Sequence, residues 1–366
     1  MIAKRIGAVA LIITVSAFGK GFTADDGLEK GTPKIQSAGP MAFGPNGILF
    51  LGDPKQAAIF AVDTGDTDGD PANVNVNVPK ITQKIAQALG TQEAQVQIQD
   101  LAVNPASGNV YLSVSRGRGP DAAPVVLKVD ASGNLSEFAL KDVRFAKAEL
   151  PNAPEDKVTG QGRRQANNRL MSITDMSFVD GRIVVAGLSN EEFASNLRAI
   201  EFPFSKVDAG ASIEIYHGNH GALETRSPIR TFVPVMLDGK PEIVAAYTCT
   251  PLVRLPLAQL KSGTKVSGTT VAELGNRNRP LDIIAYTKGG KQFLLMANSP
   301  RGMMKIDTDG IKTEKVTERV GGIAGLKYDT IESLNAVVQM DQLNKEHAVV
   351  LMQTDAGTDL QTIELP

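Results

Sequence analysis

The sequence predicts an all-β fold built from one repeated unit. The 366 residues include 35 glycines and no tryptophan, and short apolar runs separated by turn residues outnumber stretches with helical spacing. Lys+Arg total 38 against Asp+Glu 40, a formal net charge of -2, which disfavours a nucleic-acid partner because such proteins usually carry a basic excess. The third observation is internal self-similarity.

Six copies of a strand–hairpin–strand–corner–strand pattern follow one another, with starts roughly 50 to 75 residues apart, near the upper end of the propeller range. The copies begin at Gly39, Gln99, Thr174, Arg230, Leu281 and Leu334. Four antiparallel strands repeated radially form a β-propeller, so we predict one six-bladed domain over residues 31–366. Two β-sandwich domains are the alternative.

Fourth-strand candidates follow five of the copies. They begin at Asn73, Asn134, Ser212, Thr269 and Ile311. The sixth copy ends at Pro366 after its third strand, so we predict that the N-terminal segment Pro33–Gly39 pairs with the last blade and closes the ring, which removes exposed sheet edges. Two insertions are expected, a helical one near residues 80–90 and a long loop over 141–170.

The N-terminus has the features of a secretory signal peptide, predicted over residues 1–19. Lys4 and Arg5 precede a short apolar run, Ile6–Ala17, that ends in a Val-Ser-Ala sequence. We therefore expect a periplasmic or extracellular protein with no stable membrane insertion after cleavage; an uncleaved anchor is the alternative. Cys249 is the only cysteine, so an intramolecular disulfide is impossible.

Antiparallel alternation places two kinds of connection on one rim of a propeller: those that enter the innermost strands and those that join second to third strands. Polar and basic corners of both kinds therefore converge around the channel mouth, a concave place for a ligand. The candidate ligand-binding residues are Arg116, Asn190, Arg230, Arg277, Arg279, Asn298 and Arg301. They predict a small anionic or polyhydroxy ligand, or a partner protein, at this funnel face; ordinary turn chemistry is the alternative.

Two metal sites are also candidates. Asp100, Asp175 and Asp282 begin the inner strand in three copies, and carboxylate oxygens suit calcium or magnesium, so these residues are candidate ligands of a metal in the channel. His217, His220 and Cys249 lie at corners of adjacent blades, and imidazole with thiolate suits copper or zinc. Buried structural roles, or Cys249 as a nucleophile activated by imidazole, remain open for the second set.

The chain resembles secreted bacterial six-bladed propellers: NHL-repeat proteins, gluconolactonase-like hydrolases and quinoprotein sugar dehydrogenases. The resemblance to the hydrolases implies a channel metal that polarises a lactone carbonyl, so a metal-dependent lactonase-like hydrolase is the alternative function. The turn "LGNRNRP", residues 274–280, is similar to the Gly-His-Arg-Asn turn of the dehydrogenases. That resemblance implies a histidine base and arginines that hold an anionic quinone. Here Asn276 stands at the base position, and an amide cannot accept a proton at neutral pH.

Overall fold

The computed structural model describes residues 27–162 and 165–366, so the predicted signal peptide lies outside the described residues. It contains one α-helix, α1 (Ile81–Ala88), and thirty strands. In chain order the strands are β1 (Glu29–Gly31), β2 (Met41–Phe43), β3 (Ile48–Asp53), β4 (Ala58–Asp63), β5 (Asn77–Val78), β6 (Val96–Val103), β7 (Val110–Arg116), β8 (Ala123–Val129), β9 (Leu135–Glu137), β10 (Val143–Glu149), β11 (Val158–Thr159), β12 (Ala166–Asn167), β13 (Asp175–Val179), β14 (Arg182–Leu188), β15 (Ser195–Glu201), β16 (Ala211–His217), β17 (Ala222–Glu224), β18 (Ile229–Leu237), β19 (Lys240–Tyr247), β20 (Cys249–Pro256), β21 (Lys265–Ser267), β22 (Thr269–Asn278), β23 (Pro280–Lys288), β24 (Lys291–Asn298), β25 (Gly302–Asp307), β26 (Ile323–Gly325), β27 (Tyr328–Ile331), β28 (Val337–Gln342), β29 (His347–Thr354) and β30 (Gly357–Glu364).

Six antiparallel blades are present, as predicted. From the innermost strand outward they are blade 1 (β2-β3-β4-β10), blade 2 (β6-β7-β8-β9), blade 3 (β13-β14-β15-β16), blade 4 (β18-β19-β20-β22), blade 5 (β23-β24-β25-β27) and blade 6 (β28-β29-β30-β5). Short strands extend three of them: β1 on blade 1, β17 and β21 on blade 3, and β26 on blade 4. The fold class predicted from the repeats is therefore confirmed.

The blades do not follow one another around the ring in chain order. The inner strands are neighbours in the order β6, β2, β13, β18, β23, β28 and back to β6. Blade 2 thus lies between blades 6 and 1, and blade 1 contacts blade 3. Six separate hydrophobic clusters fill the six junctions, for example Phe50 of blade 1 with Ile183 of blade 3, and Leu112 of blade 2 with Val349 of blade 6.

The predicted closing strand is wrong. Residues 33–39 form no strand; instead, the Gln36 N–H and the Ser37 hydroxyl both donate to the Asp53 carboxylate in blade 1, each at 2.6 Å. Blade 6 is completed by β5, in which Val78 lies opposite Leu360. The segment that carries β5 can take this place because its alternating valines, including Val76, are buried in the junction between blades 6 and 2.

Two fourth strands were also misplaced. Blade 1 is completed by β10, which lies in the segment predicted as a long loop, and it packs there because Phe145 and Ala148 face apolar neighbours across β4. Blade 5 is completed by β27 rather than by the stretch from Ile311, which forms no strand. The helical insertion is confirmed: α1 buries Ile81 and Ile85 against blades 2 and 6.

After leaving β4, the chain therefore completes blade 6, builds blade 2, and only then returns to finish blade 1. The pairing of β5 with β30 connects the first third of the chain to its last strand. It closes the ring in place of the predicted strand near the N-terminus. Among the residues that the structure describes, no helix combines the length and hydropathy needed to cross a bilayer.

Candidate functional site

Four aspartates surround the central channel, three of them predicted from the repeats. In each, the Oδ2 atom accepts a main-chain N–H from the next inner strand: Met41 to Asp100 at 2.6 Å, Phe232 to Asp175, Met340 to Asp282 and Val103 to Asp341, each of these three at 2.7 Å. The four bridges run in one rotational direction. They cross the junctions 2–1, 3–4, 5–6 and 6–2, and the described residues form no such bridge at the junctions 1–3 and 4–5.

The same aspartates line a cavity of about 340 Å³ in the channel, and none of the described residues that line it is basic. Burial raises the pKa of Asp175 and of Asp341 to about 6. For Asp100 and Asp282, burial and then repulsion from neighbouring carboxylates raise the pKa well above its usual range. All four residues are half-buried where they line the cavity.

The channel aspartates already have backbone partners. In Asp175, Asp282 and Asp341 the Oδ1 atom accepts the N–H of the following residue at 2.7, 2.8 and 2.7 Å. Within residues 27–162 and 165–366, these carboxylates do not form a group of three ligand atoms within 4.8 Å of one another. A calcium or magnesium site at Asp100, Asp175 and Asp282 therefore stays a prediction, and the observed geometry assigns these side chains to inter-blade bonding.

A larger pocket of about 690 Å³, the mouth pocket, lies at the rim where the chain enters the inner strands. The corners of blades 1 and 2 and the insertion around β11–β12 wall it, and Arg230 of blade 4 reaches it. Ile173, Leu170 and Met171 give it an apolar side, while Gln97 and Gln99 bring amide groups. The insertion therefore covers part of the funnel, which its sequence left undetermined.

Arg230 owes its position to a β-bulge. The pairing of β18 with β19 shifts register between Ile229 and Thr231, which leaves Arg230 as the extra residue, and a bulge re-aims the side chain that it carries. Arg230 is exposed and has no hydrogen-bond or ion-pair partner within the described chain. Its guanidinium is therefore free to bind a ligand group.

The other predicted ligand residues are dispersed along the rim. Arg116 points outward, with its Nη1 at 3.5 Å from the Leu89 oxygen, and the Asn190 N–H donates to the Asn152 oxygen at 2.6 Å. Neither residue lines the mouth pocket. The predicted funnel set thus divides into Arg230 at the channel mouth, isolated positions, and one cluster between blades 4 and 5.

That cluster joins the corners at residues 276–279 and 298–301, as expected from the strand pattern. Arg301 Nη2 donates to the Asn276 oxygen at 2.8 Å, and the Arg279 oxygen accepts the Ser299 N–H at 3.0 Å. The buried Asn298 amide hydrogen-bonds the Asn278 side chain. Arg277 is exposed with a left-handed φ of 65°, and no described residue pairs with it.

Beside this cluster, the predicted soft-metal residues come together. His217, His220 and Cys249 each offer one ligand atom, and the three atoms lie within 4.8 Å of one another. The imidazole centroids are 3.8 Å apart. The His217 side chain is 1% exposed and that of His220 is 54% exposed, so the group opens to solvent on one side. Cys249 has a φ of 90°, a left-handed backbone angle that is uncommon for a residue other than glycine.

Two glutamates that the sequence analysis missed hold this group in place. Glu224 Oε1 lies 2.9 Å from His217 Nδ1 and 2.6 Å from His220 Nδ1. Burial raises the Glu224 pKa, but the hydrogen bonds with His220 and His217 outweigh it and hold the pKa below its usual range. Glu273, fully buried in β22, accepts the Gly218 N–H at 2.5 Å and the Asn219 amide at 3.0 Å, which fixes the loop between the histidines.

Asp341 was missed as well. It lies two residues beyond the position of the other channel aspartates, because the aligned residue in blade 6 is Gln339. A comparison of repeat positions alone could not find it, whereas the i, i+2 rule for one strand face could have done so. Glu224 had a weaker signal, a carboxylate four residues after His220 in a turn.

The search of protein-family models found no match for this chain, and neither did the search of curated proteins. Solved structures are similar in fold. A streptogramin B lyase matches with a TM-score of 0.41 and 9% identity, covering 92% of this chain and 97% of that chain. The PQQ-bound aldose sugar dehydrogenase of Streptomyces coelicolor gives a TM-score of 0.33 and 12% identity, with 92% and 98% covered. The Escherichia coli aldose sugar dehydrogenase gives 0.36 and 11%, with 92% and 99% covered.

Proposed function

We propose that the protein binds a small organic anion, or a polyhydroxy compound bearing an anionic group, in the mouth pocket. The observation that carries the proposal is the unpaired Arg230 guanidinium at the edge of a cavity of about 690 Å³. A guanidinium binds carboxylate in a bidentate manner, and such charge-assisted bonds are stronger than neutral ones.

The rest of the lining suits a molecule with both polar and apolar parts. Gln97, Gln99 and Ser115 offer hydrogen bonds, and Gln99 Nε2 already donates to Ser115 Oγ at 3.1 Å, so this pair is preorganised. The side chains of Ile173 and Met171 provide an apolar wall. Ligand pockets commonly combine such a wall with a few polar groups that fix orientation.

The insertion favours a small molecule over a large partner surface. Asp156, Val158, Asn167 and Leu170 all line the pocket, and the Asn167 amide donates to Asp156 Oδ1 at 2.6 Å. This contact joins the two sides of the β11–β12 hairpin, so these pocket-lining residues of the insertion are held together. Asp156 also disfavours anions that extend toward the insertion, so the anionic group is placed at Arg230 and the neutral part under β11–β12.

Arg230→Met tests this proposal, with Arg116→Met as the matched control because Arg116 lies on the same rim outside the pocket. Ligands are sought by thermal shift with a panel of mono- and dicarboxylates, sugar acids and neutral sugars. We expect a hit to stabilise the wild type and R116M but to bind R230M roughly 10- to 100-fold more weakly, the loss of one charged contact. Equal affinity of the hit for R230M and the wild type would refute the assignment.

A further inference from the structure

We propose that His217, His220 and Cys249 bind one copper or zinc ion at the rim of the blade 3–4 junction. The site uses none of the residues that line the mouth pocket, so it is independent of the function proposed above. Two imidazole nitrogens and one thiolate are a ligand set that copper and zinc favour, and calcium and magnesium do not.

The composition of the chain makes this grouping specific. The sequence contains three histidines and one cysteine, and the group takes two of those histidines and the only cysteine. The ligands come from different blades: His217 ends β16 of blade 3 and His220 follows it, and Cys249 begins β20 of blade 4. Two blades thus contribute to one cluster.

Glu224 selects the nitrogens that can bind the ion. Because one carboxylate oxygen faces Nδ1 of both rings, each Nδ1 carries its proton toward Glu224 and each Nε2 keeps its lone pair. A carboxylate behind a ligating imidazole is the usual second layer of a metal site, where it fixes the tautomer and raises ligand basicity. Thr250 Oγ1 now lies 2.5 Å from His217 Nε2 and would turn away when the ion binds.

The distances require only a small closure. With zinc–sulfur and zinc–nitrogen bonds of about 2.3 and 2.0–2.1 Å, neighbouring ligand atoms in a tetrahedral site lie roughly 3.5 Å apart. The three ligand atoms now lie within 4.8 Å of one another. A movement of the exposed His220 ring would bring its nitrogen closer to the other two ligand atoms. His217 is buried and its loop is fixed by Glu273, so His220 is the ligand with room to move.

Three protein ligands leave one coordination position, and the exposed side of His220 directs it to solvent. Water or a small exogenous ligand would occupy it. Binding converts the Cys249 thiol to a thiolate and releases its proton to solvent, while the histidines bind in neutral form, so affinity falls as the pH is lowered. No oxidant or reductant is needed for zinc or copper(I).

Cobalt(II) is a suitable probe, because a thiolate–cobalt bond gives an intense charge-transfer band that nitrogen and oxygen ligands do not produce. The metal-free wild type should take up one cobalt per chain, and zinc or copper(I) should displace it. His220→Ala and Cys249→Gly should each weaken cobalt binding by more than the roughly 10–100-fold typical of a lost second-layer contact, with the band absent in C249G. His347→Ala is the matched control, since His347 is the remaining histidine and hydrogen-bonds Asn344 in blade 6.

Glu224→Gln separates a metal site from a structural cluster. The amide of this variant has no negative charge to offer the two imidazoles. The affinity for cobalt should therefore fall by about 10–100-fold, while the charge-transfer band remains. Thermal melts of H220A should match the wild type without metal, because the ring is exposed. Failure of the wild type to bind cobalt, zinc or copper(I), or a band that survives in C249G, overturns the proposal.

Alkylation supplies a second measurement that does not depend on any variant folding. Cys249 is the only thiol in the chain, so at a small excess of iodoacetamide a single mass increment reports the state of that thiol. Under the proposal, stoichiometric zinc protects Cys249 and chelator restores its reactivity. Rapid alkylation that zinc leaves unchanged would instead favour Cys249 as an imidazole-activated nucleophile and reject the metal site.

Discussion

The channel and the blade 3–4 rim both concentrate buried ionisable groups, yet they satisfy them differently. In the channel, each aspartate accepts main-chain N–H groups across a blade junction, so its hydrogen-bonding capacity is used by the fold. At the rim, Glu224 lies within hydrogen-bond distance of Nδ1 of two imidazoles, and both rings lie beside the Cys249 thiol. Carboxylates stabilise the ring in the first region and prepare a ligand set in the second.

The largest contrast should appear on side-chain removal. Asp282→Ala deletes the acceptor for the Ile283 and Met340 N–H groups, which lie 2.8 and 2.7 Å away and would be left unpaired in the channel wall. We expect the free energy of unfolding to fall by about 3 kcal/mol. His220→Ala, at the exposed rim, should change it by less than about 1 kcal/mol.

Urea denaturation of both variants, with chelator present, measures this difference. If H220A lowered the free energy of unfolding as much as D282A, the rim would be part of the structural framework and the contrast between the two regions would be wrong. The contrast would also be wrong if D282A unfolded like the wild type.

The pH dependence of stability should have opposite signs in the two regions. Asp341 has a folded pKa of about 6 against an ordinary value of 3.8, so the folded state binds more protons between these values. Its contribution is therefore present below about pH 4 and lost as the pH rises through about 6. Glu224 has a lowered pKa, so its contribution is present above the ordinary value of 4.5 and lost on acidification.

Asp341→Asn and Glu224→Gln isolate these contributions. Relative to the wild type, D341N should gain stability, on the order of 1 kcal/mol, as the pH rises from about 4 to about 7. E224Q should lose stability relative to the wild type at lower pH, as the pH rises through the lowered pKa of Glu224 to its ordinary value of 4.5. Denaturation curves at several pH values give both slopes. Slopes of the same sign would show that folding does not shift the pKa values of Asp341 and Glu224 in opposite directions.

The sequence predicted most of what depends on local pattern. Alternating apolar residues located the inner strands, and antiparallel geometry correctly brought Asn276 to Arg301 and His217 to Cys249. The order of the blades could not be predicted from the sequence. The strand β5 has only two residues, and its pairing with β30 depends on a junction, distant in sequence, that buries Val76 and Val78. Local propensity cannot distinguish which of several blades receives such a short strand.

The same limit applies to the site residues. Asp100, Asp175 and Asp282 were visible because they share one repeat position, but nothing in the repeat indicated that their oxygens would face backbone N–H groups of the next blade. The bulge that redirects Arg230 was equally hidden, since it is a difference in register between β18 and β19. The sequence shows which chemical group stands at a position, whereas tertiary packing decides which group it contacts.

The smallest expected effect concerns the backbone of the rim. Cys249 has a φ of 90°, a region that a side chain with Cβ occupies at a cost and that glycine adopts freely, whereas the channel aspartates lie in strands without positive φ. In metal-free protein, Cys249→Gly should therefore be more stable than Cys249→Ala by on the order of 1 kcal/mol. Urea midpoints of the two variants measure the difference, and a less stable C249G would mean that the thiol position carries no strain. A positive result would show that the proposed ligand Cys249 carries a backbone strain that the channel aspartates do not carry.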